Sequence, residues 1–457
     1  MNKGSDKGAV FLVTILSSFV TPFIESSVSI ALPSIGYEFV LDIVILNWVA
    51  TSYFLAAAIF LVPFGRLADI YGRKKYFTYG VSCYTGASLL AVLSGSALVL
   101  IGARFLQGIG AAMIFGTNIA ILTSVFPPGE RGKVLGIIIT TVFLGQLSGP
   151  YLGGFLTQQF GWRSIFLFNV PLGLIMIIVI FWKLKGEWAE AKGEKFDLVG
   201  SVIYGLMLLG VMYGFSQLPE IRGVWFILMG IIGLYIFVKW EIKVECPVLE
   251  ITLFRKNRVF AFSNLAALIY FSATYATTFL LSLYLQYIKE LSPQNAGLVL
   301  VAQPMVQATF SPIAGWLSDR IEPQRIVACG MTLTVVGLSL FMWLNKKTPI
   351  ELIITGLAIL GLGAALFSPP NFNVVMGSVE KEVYGVASGT RGTMRLLGQM
   401  LSMGITILLF TLYLGRVQIT PELYPLFLRS VRALFIIFAG LCFWGGIFAS
   451  FTRSKVH

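Results

Sequence analysis

The chain has 457 residues, of which 57% are hydrophobic and only 12% are charged, and its mean hydropathy is +0.85. The charged share is about half of that in an ordinary soluble domain. A soluble globule of this length could not bury so much apolar surface. The same composition excludes intrinsic disorder, collagen-like repeats and small disulfide-bonded scaffolds. It therefore predicts an all-α polytopic membrane protein.

Charge, cysteine and histidine usage exclude further classes. The net charge is +12, but the basic residues lie in short loops between apolar segments, so the membrane accounts for them without a nucleic-acid partner. The four cysteines are far apart and form no CxxC pair. The only histidine is the last residue, His457, which argues against histidine metal sites and Ser-His-Asp catalysis. We therefore predict no enzyme, no metal site and no cofactor.

Fourteen segments are long and apolar enough to cross a bilayer, since a span needs about 20 mostly apolar residues. Because the number is even, both termini lie on one side, and most of the 33 Lys and Arg residues fall in the loops of that side. The positive-inside bias then predicts a multi-pass protein of the cell membrane with both termini cytoplasmic. The predicted spans are 9–32, 44–66, 77–96, 99–125, 133–160, 163–184, 197–216, 224–240, 259–288, 294–318, 326–344, 350–376, 385–413 and 430–453.

The two halves of the chain resemble each other. The segment Gly65–Asp69 follows the second span, and the similar segment Gly315–Asp319 follows the tenth. An internal repeat of this kind is typical of transporters. We predict an N-terminal six-helix bundle at 1–184, a linker with two inserted transmembrane helices at 185–258, and a C-terminal six-helix bundle at 259–457.

Glu25 is the one acidic residue well inside a predicted span. A charge at membrane depth costs at least about 2.5–3.5 kcal/mol, so Glu25 should face a cavity, pair with a cation or be protonated. Arg104 lies at a similar depth on the fourth span, which leaves two readings open: a static ion pair, or a proton site tuned by Arg104. Glu25 also belongs to a polar stripe at helical spacing. The stripe comprises Thr14, Ser18, Thr21, Glu25 and Ser29.

Two further arginines, Arg391 and Arg395, are four residues apart on the thirteenth span and share one helix face. They could line a cavity, or they could serve packing and reach toward the cytoplasm. Pro369-Pro370 predict a break in the twelfth span just before Asn371. Polar residues elsewhere either line the substrate cavity or form hydrogen bonds between helices, worth about 0.6 kcal/mol each on average. The cavity candidates are Thr21, Tyr53, Gln107, Gln146, Tyr270, Thr274, Gln303, Gln307, Asn371, Arg391 and Arg395.

Three segments resemble motifs of the major facilitator superfamily, in its 14-helix drug–proton antiporter branch. Gly65-Arg-Leu-Ala-Asp69-Ile-Tyr-Gly72-Arg73-Lys74-Lys75 resembles motif A, and Arg104-Phe-Leu-Gln107-Gly108-Ile-Gly110 resembles motif B. Gly145-Gln-Leu-Ser-Gly149-Pro150-Tyr-Leu-Gly153-Gly154 resembles motif C, the antiporter signature. The segments around Glu25 and from Trp162 to Gly173 also look like this branch. The resemblance covers nearly the whole chain and implies two six-helix bundles plus two inserted helices.

The resemblance also implies roles for residues. It places Arg104 beside Glu25 for proton coupling. It implies a conformational latch at motif A, in which Asp69 caps the start of the thirteenth span in the outward-open state. Motif C would seal the outer half of the pathway. The latch residues are Gly65, Asp69, Gly72 and Arg73, and those of the antiporter motif are Gly145, Gly149, Pro150, Gly153 and Gly154.

The sequence departs from this branch in ways that bear on the substrate. The family usually has Asp where this chain has Glu25, and Arg391 is an additional arginine. One acid against three intramembrane arginines favours a neutral, monocationic, zwitterionic or anionic lipophilic substrate. We predict a monomeric proton-coupled exporter of lipophilic small molecules, with protons and membrane lipid as its other partners. A lipid translocase, or an exporter or facilitator of an endogenous metabolite, is the alternative.

Overall fold

The structure is a computed structural model and describes residues 6–189, 191–380 and 383–450. The described residues form helices and loops, with no β-strand among them. Thirteen of the described helices are long and apolar enough to cross a membrane. The remaining predicted span is the third, 77–96, which corresponds to the helix Arg73–Val92 with its basic first turn and several hydroxyl side chains. The predicted all-helical class is therefore confirmed, and the protein is a multi-pass membrane protein.

Six long helices make up the first part of the fold. Their ends agree with the predicted spans to within a few residues at most boundaries. They are α1 (Lys7–Glu38), α2 (Ile43–Tyr71), α3 (Arg73–Val92), α4 (Ala97–Val125), α5 (Pro128–Phe160) and α6 (Arg163–Lys183).

The remaining helices include two spans that are assigned in more than one piece. Tyr275 separates α10 from α11, and Val301 separates α12 from α13, but both residues keep right-handed helical dihedrals, so each span is continuous. A π-helical turn, Tyr284–Ile288, ends the first of these spans. The helices are α7 (Leu198–Gln217), α8 (Ile221–Glu241), α9 (Ile251–Lys256), α10 (Arg258–Thr274), α11 (Ala276–Leu283), α12 (Pro293–Leu300), α13 (Ala302–Ser318), α14 (Pro323–Phe341), α15 (Ile350–Gly377), α16 (Tyr384–Tyr413) and α17 (Tyr424–Ser450).

Short polar side chains determine where several helices begin. The Asp42 carboxylate accepts hydrogen bonds from the amides of Val44 (2.8 Å) and Ile45 (2.9 Å). These amides belong to the first turn of α2 and have no partner within the helix, so Asp42 replaces the missing acceptors. Asp6, Ser96, Asp197, Asn257 and Ser292 cap their helices in the same way.

The predicted break at Pro369-Pro370 is wrong, because α15 continues as one helix to Gly377. A proline pair removes two backbone donors, but within a membrane bundle neighbouring helices can hold such a segment in place. Here α14 packs tightly along it: a Cβ on Gly330 would lie 2.8 Å from both the Gly363 carbonyl oxygen and the Phe367 nitrogen. Tight packing at this crossing keeps the segment helical.

The bundle has two distinguishable ends. The basic end carries the loops 71–73, 125–128, 183–198, 241–258 and 318–323. The opposite end carries the loops 38–43, 92–97, 160–163, 217–221, 288–293, 341–350 and 413–424.

The first part of the chain, α1 to α6, and its last part, α10 to α17, meet at the opposite end. Ser282 donates a hydrogen bond to the Ser29 carbonyl oxygen (2.7 Å), and Gln286 donates one to that of Ile30 (3.0 Å). The Ile43 amide donates to the carbonyl oxygen of Val417 (3.1 Å). Because these bonds join helices far apart in sequence, the bundle is closed at this end.

The helices α7 and α8 pack mainly against each other through glycines. They also touch both parts of the bundle. Tyr204 on α7 donates a hydrogen bond to the Ala58 carbonyl oxygen of α2 (3.2 Å). Phe215, near the other end of α7, lies against Gly404 of α16, where an added Cβ would be 2.7 Å from its ring. The division of the chain at residues 184 and 258 remains a prediction.

We expect Gly110→Leu to destabilise the bundle, because a Cβ at this position would lie 2.7 Å from the Tyr84 amide nitrogen on α3. Overpacking of this kind costs about 1–3 kcal/mol. The measurement is the thermal unfolding midpoint of the purified protein. Gly86→Leu is the matched control, since a Cβ there meets nothing within 4 Å. Equal midpoints for the two variants would contradict this account of the α3–α4 crossing.

Candidate functional site

A cavity of about 150 Å³ lies between the first and last parts of the chain. Its walls come from α1, α5, α10, α11, α12, α13, α15 and α16. It contains Glu25 and five of the eleven predicted cavity residues, which are Gln146, Tyr270, Thr274, Gln303 and Gln307. Ser29 of the predicted stripe and Thr278, a predicted polar position on the same span as Tyr270 and Thr274, also line it. The four polar residues of the wall that were not predicted are Ser26, Tyr275, Ser368 and Gln399.

Glu25 and Arg104 meet through Tyr53. The Tyr53 hydroxyl donates a hydrogen bond to Glu25 Oε1 (3.1 Å), and the Arg104 guanidinium lies over the Tyr53 ring, 4.5 Å from its centroid. No direct ion pair joins Glu25 to Arg104 in the described part of the chain. The similar depth predicted for the two residues therefore corresponds to a three-residue arrangement on α1, α2 and α4.

Arg104 is held rigidly from the other side. It is 1% exposed, its Nε donates to the Val49 carbonyl oxygen (3.3 Å), and its Nη1 donates to Gln107 Oε1. The Gln107 amide in turn donates to Ser88 Oγ (2.8 Å). Arg104 and Gln107 thus lie behind the cavity wall, where they fix the position of Tyr53.

The two arginines of α16 have different surroundings. Arg391 donates to Asn371 Oδ1 (3.2 Å) and to the Ser368 carbonyl oxygen (3.0 Å), so Arg391 and Asn371 form a structural cluster outside the cavity. Arg395 lies over the Phe115 ring of α4, 5.5 Å from its centroid. Its buried Nε has no hydrogen-bond partner among the described residues. Arg395 therefore reaches from the last part of the chain toward the first.

Thr21 is also outside the cavity lining. Its hydroxyl donates to the Ser17 carbonyl oxygen of its own helix (3.1 Å), and the side chain is 1% exposed. Of the predicted polar stripe on α1, Glu25 and Ser29 reach the cavity. Ser18 instead accepts a hydrogen bond from Asn118 of α4 (2.8 Å).

Motif C brings α5 into close contact with two helices. Added Cβ atoms at Gly145, Gly149 and Gly153 would lie within 3 Å of atoms of α1. On the next face, a Cβ at Gly154 would lie 2.5 Å from the carbonyl oxygen of Pro293, the first residue of α12. Close approach of this kind needs glycine, because any larger side chain separates the backbones.

Across the same crossing, a Cβ on Gly297 of α12 would lie 2.1 Å from the Pro150 carbonyl oxygen. Pro150 itself lines the cavity. The α5–α12 contact therefore closes the cavity toward the opposite end of the bundle.

Motif A is bound by the linker that follows α6. Asp69 accepts a hydrogen bond from Arg73 Nε (2.8 Å), and its backbone carbonyl accepts one from the Ala191 amide (3.0 Å). The Glu187 carboxylate accepts from the amides of Lys74 (2.7 Å) and Lys75 (3.2 Å) at the start of α3. The linker therefore supplies the cap that α3 lacks in its own sequence.

The motif A glycines have different surroundings. Gly72 has a φ of +121°, a backbone conformation that residues with a side chain rarely adopt. A Cβ there would also lie 2.4 Å from Glu187 Cδ. Gly65 has open space beside it, and its Cα lies opposite Gly116 of α4. The predicted bond from Asp69 to the start of α16 is not among the described hydrogen bonds, and Asp69 pairs with Arg73 instead.

The contacts of the linker with motif A and the start of α3 were not predicted, because carboxylates in a linker resemble ordinary solvated charges in the sequence. Glu187 offers no signal in the sequence, since its partners are backbone amides more than 100 residues earlier. The sequence could have indicated Gln399 as a cavity residue, because it lies four residues after Arg395 and shares its helix face. Among the residues that the structure describes, no group of three or more metal-ligating side chains comes together.

The fold and this site define a membrane transporter built from paired helix bundles around a central cavity. The chain belongs to the Major Facilitator Superfamily, whose family model matches residues 14–293 and 264–456. The predicted family is therefore confirmed.

Relatives show the range of substrates within this family. The chain is 30% identical to the riboflavin transporter RibZ of Clostridioides difficile (strain 630), over 98% of both chains. It is 31% identical to the multidrug resistance protein Stp of Mycobacterium tuberculosis (strain CDC 1551 / Oshkosh), over 83% of this chain and 71% of that protein. A crystal structure of a mutant of the peptide transporter POT in complex with alafosfalin shares the fold. Its TM-score is 0.70 at 13% identity, covering 98% of this chain and 96% of that one.

We expect Gly297→Leu to open the opposite end of the bundle, because the new side chain cannot fit against Pro150. The measurement is the rate at which a maleimide labels a cysteine placed at Gln286, in purified protein whose native cysteines are replaced by serine. A cost of about 1–3 kcal/mol at the crossing corresponds to roughly 5- to 160-fold faster labelling. Gly95→Leu in the loop after α3 is the control, since a Cβ there meets nothing within 4 Å. Unchanged labelling would contradict the assigned closure.

We expect Glu187→Ala to loosen the start of α3. Losing a helix cap costs about 0.5–2 kcal/mol, so hydrogen exchange at the Lys74 and Lys75 amides should accelerate about 2- to 30-fold. Glu245→Ala is the control, because Glu245 is an exposed carboxylate of the loop after α8. Equal exchange in both variants would mean that the linker does not cap the helix.

Proposed function

We propose that this protein is a proton-coupled antiporter that exports lipophilic small molecules by alternating access. One observation carries the proposal. Glu25 is the single acidic side chain among the described residues that line the central cavity, and it is hydrogen-bonded to Tyr53. An acid at membrane depth is a functional site by default, because its charge is costly there. The family membership and the multidrug-resistance relative support an export role.

The coupling depends on charges from both parts of the bundle. Arg104 belongs to the first part and lies over Tyr53, the hydrogen-bond partner of Glu25, whereas Arg395 belongs to the last part and reaches the first part at Phe115. If the two parts rock against each other, the distance from Arg395 to Glu25 changes. Glu25 then favours the carboxylate when Arg395 is near and the neutral acid when it is distant, so that a proton binds in one state and leaves in the other.

The energy of one proton is sufficient for export. Each positive charge that enters a cell gains about 2.3 kcal/mol per 100 mV, which supports about 50-fold accumulation of a neutral substrate. We propose, from the positive-inside bias, that the basic end faces the cytoplasm. In that orientation the closed opposite end faces outward, and this conformation is closed to the outside.

The cavity must widen to hold substrate. Ligand sites usually measure about 300–1,000 Å³, and the volume here is about 150 Å³. In the proposed cycle the outward-open state would form when α5 and α12 separate and the basic end closes. Asp69 would then leave Arg73 and cap the start of α16, as the family resemblance implies for the latch residues Gly65, Asp69, Gly72 and Arg73.

A second candidate is the transport of a neutral heteroaromatic metabolite of the flavin type. The cavity is rich in amides, contributed by Gln146, Gln303, Gln307 and Gln399. Tyr270 adds an aromatic face, which stacks on Phe367 with centroids 3.9 Å apart. Amides and aromatic faces suit a flat ring system with several carbonyl and N–H groups better than a bare cation. The riboflavin transporter relative supports the same candidate.

We expect Glu25→Gln to abolish proton-coupled transport while leaving the fold intact, because an amide keeps the size of the side chain and cannot carry the proton. The measurement is dissipation of a pH gradient in proteoliposomes of purified protein, challenged separately with ethidium and with riboflavin. Glu351→Gln is the control, since Glu351 is an exposed carboxylate in the first turn of α15.

Each result of this assay separates the candidates. Ethidium-dependent proton flow that only Glu25→Gln abolishes would support drug antiport, and riboflavin-dependent proton flow would support the metabolite. Full activity of Glu25→Gln with either compound would refute Glu25 as the proton carrier. Riboflavin uptake that needs no pH gradient and is unaffected by Glu25→Gln would replace antiport with facilitated transport.

A further inference from the structure

A second cavity lies away from the central one, between the helices α7 and α8, which we call the inserted pair, and the first part of the bundle. It has a volume of about 880 Å³ and is walled by α2, α4, α7 and α8. Its lining is almost entirely apolar and includes Trp48, Leu55, Phe105 and Met229. Ser52 carries the one aliphatic hydroxyl group of the lining, and none of the lining residues is charged. We name this cavity the hairpin groove.

The hairpin groove extends over about half of the membrane thickness. Along α7 it runs from Ile203 to Tyr213, ten residue steps, or about 15 Å at 1.5 Å per residue. The apolar core of a bilayer is about 30 Å thick, so the groove matches the acyl region of one leaflet. The lining residues of α2, from Trp48 to Leu55, and of α4, from Leu98 to Phe105, lie in the halves of these helices next to the opposite end, which assigns the groove to the leaflet at that end.

Small residues create the open space. Gly102 lines the groove on α4, and a Cβ there would meet nothing within 4 Å. The inserted pair cannot close the gap by moving inward, because it is already fixed at two points. Tyr204 is bonded to Ala58 at the inner end of the groove, and Phe215 packs on Gly404 of α16. Apolar walls of this kind gain dispersion contacts when another apolar group packs against them.

We propose that the hairpin groove binds an acyl chain of a membrane phospholipid from the leaflet at the opposite end. The length of the groove, its apolar lining and its position in the bilayer suit a hydrocarbon chain. The lining, with Ser52 as its one aliphatic hydroxyl group, offers too few polar groups to orient a transported amphiphile. The site is separate from the substrate cavity. Trp48, Ser52 and Leu55 face the groove from α2, whereas their neighbour Tyr53 contacts Glu25.

The bound acyl chain would fill the space between α2 and the inserted pair. It would hold the segment that carries Tyr53 against α1 while the inserted pair stays attached to α2 and α16. Removing the chain should therefore loosen α2 without touching the Glu25 site directly. This role does not depend on which solute the protein transports, so it stands or falls separately from the proposed function.

The test uses purified full-length protein in nanodiscs that contain a phosphatidylglycerol with a photoreactive diazirine in its acyl chain. After irradiation, peptide mapping reports the labelled segments. We expect labelling of 98–105, 203–213 and 226–236 to exceed that of the lipid-facing side of α6. Gly102→Phe fills the groove and should lower this labelling at least about fivefold, an effect equivalent to about 1 kcal/mol. Gly86→Phe places the same ring on the exposed face of α3 and should leave it unchanged.

Alternative outcomes are distinguished in the same experiment. Gly102→Leu provides a smaller filler, expected to lower labelling partly, in case the phenylalanine variant fails to fold. Labelling of the groove at the level of α6, unaffected by either Gly102 variant, would refute a bound chain. Protection of the groove by added ethidium or riboflavin would assign it to a transported solute and likewise overturn the proposal.

Discussion

A carboxyl group within the apolar region of a membrane has to be hydrogen-bonded, paired or protonated, and Glu25 places this requirement at the centre of the fold. The hydrogen-bond partner of Glu25 comes from a second helix. Tyr53 of α2 donates to Glu25, and the Arg104 guanidinium of α4 lies over the Tyr53 ring. Gln107 and Ser88 complete the network on α4 and α3. Four helices of the first part of the chain are thereby linked to one acid, which explains why Arg104 can be fully buried without a carboxylate in contact with it.

Glycine governs how the rest of the bundle meets that acid. On α5 the motif C glycines bring the backbone against α1, the helix that carries Glu25, and Gly154 continues the contact toward α12. The same helix therefore supports the acid site and closes one end of the cavity. Glycine lets the two backbones approach closely, so that van der Waals packing between the helices holds this contact.

The sequence was a good guide wherever one residue or one window carried the information. Apolar windows predicted the spans, and the isolation of Glu25 among apolar residues identified the acid that the structure places in the cavity. A similar depth was predicted for Glu25 and Arg104, and Tyr53 was predicted as a cavity residue. Its place between the two was not predicted, because the rotation of α2 about its axis depends on packing against several helices. Five of the eleven predicted cavity residues line the cavity, whereas Asn371 and Arg391 bond to each other outside it. The break at Pro369-Pro370 was wrong because tertiary contacts override the local cost of proline. Glu187 could not be predicted, since a carboxylate in a loop has no preferred partner until the chain folds.

The inserted pair also makes the protein laterally asymmetric. The first and last parts of the chain share two seams, one between α2 and α16 and one where α5 meets α12 and α13. Helix α7 contacts both α2 and α16, and so covers the first seam along the bilayer. The second seam has no such cover from the inserted pair. A solute dissolved in the hydrocarbon would thus meet the joint between the two bundles from one flank of the molecule, and the direction of lateral entry would be set by where this pair of helices is inserted in the chain.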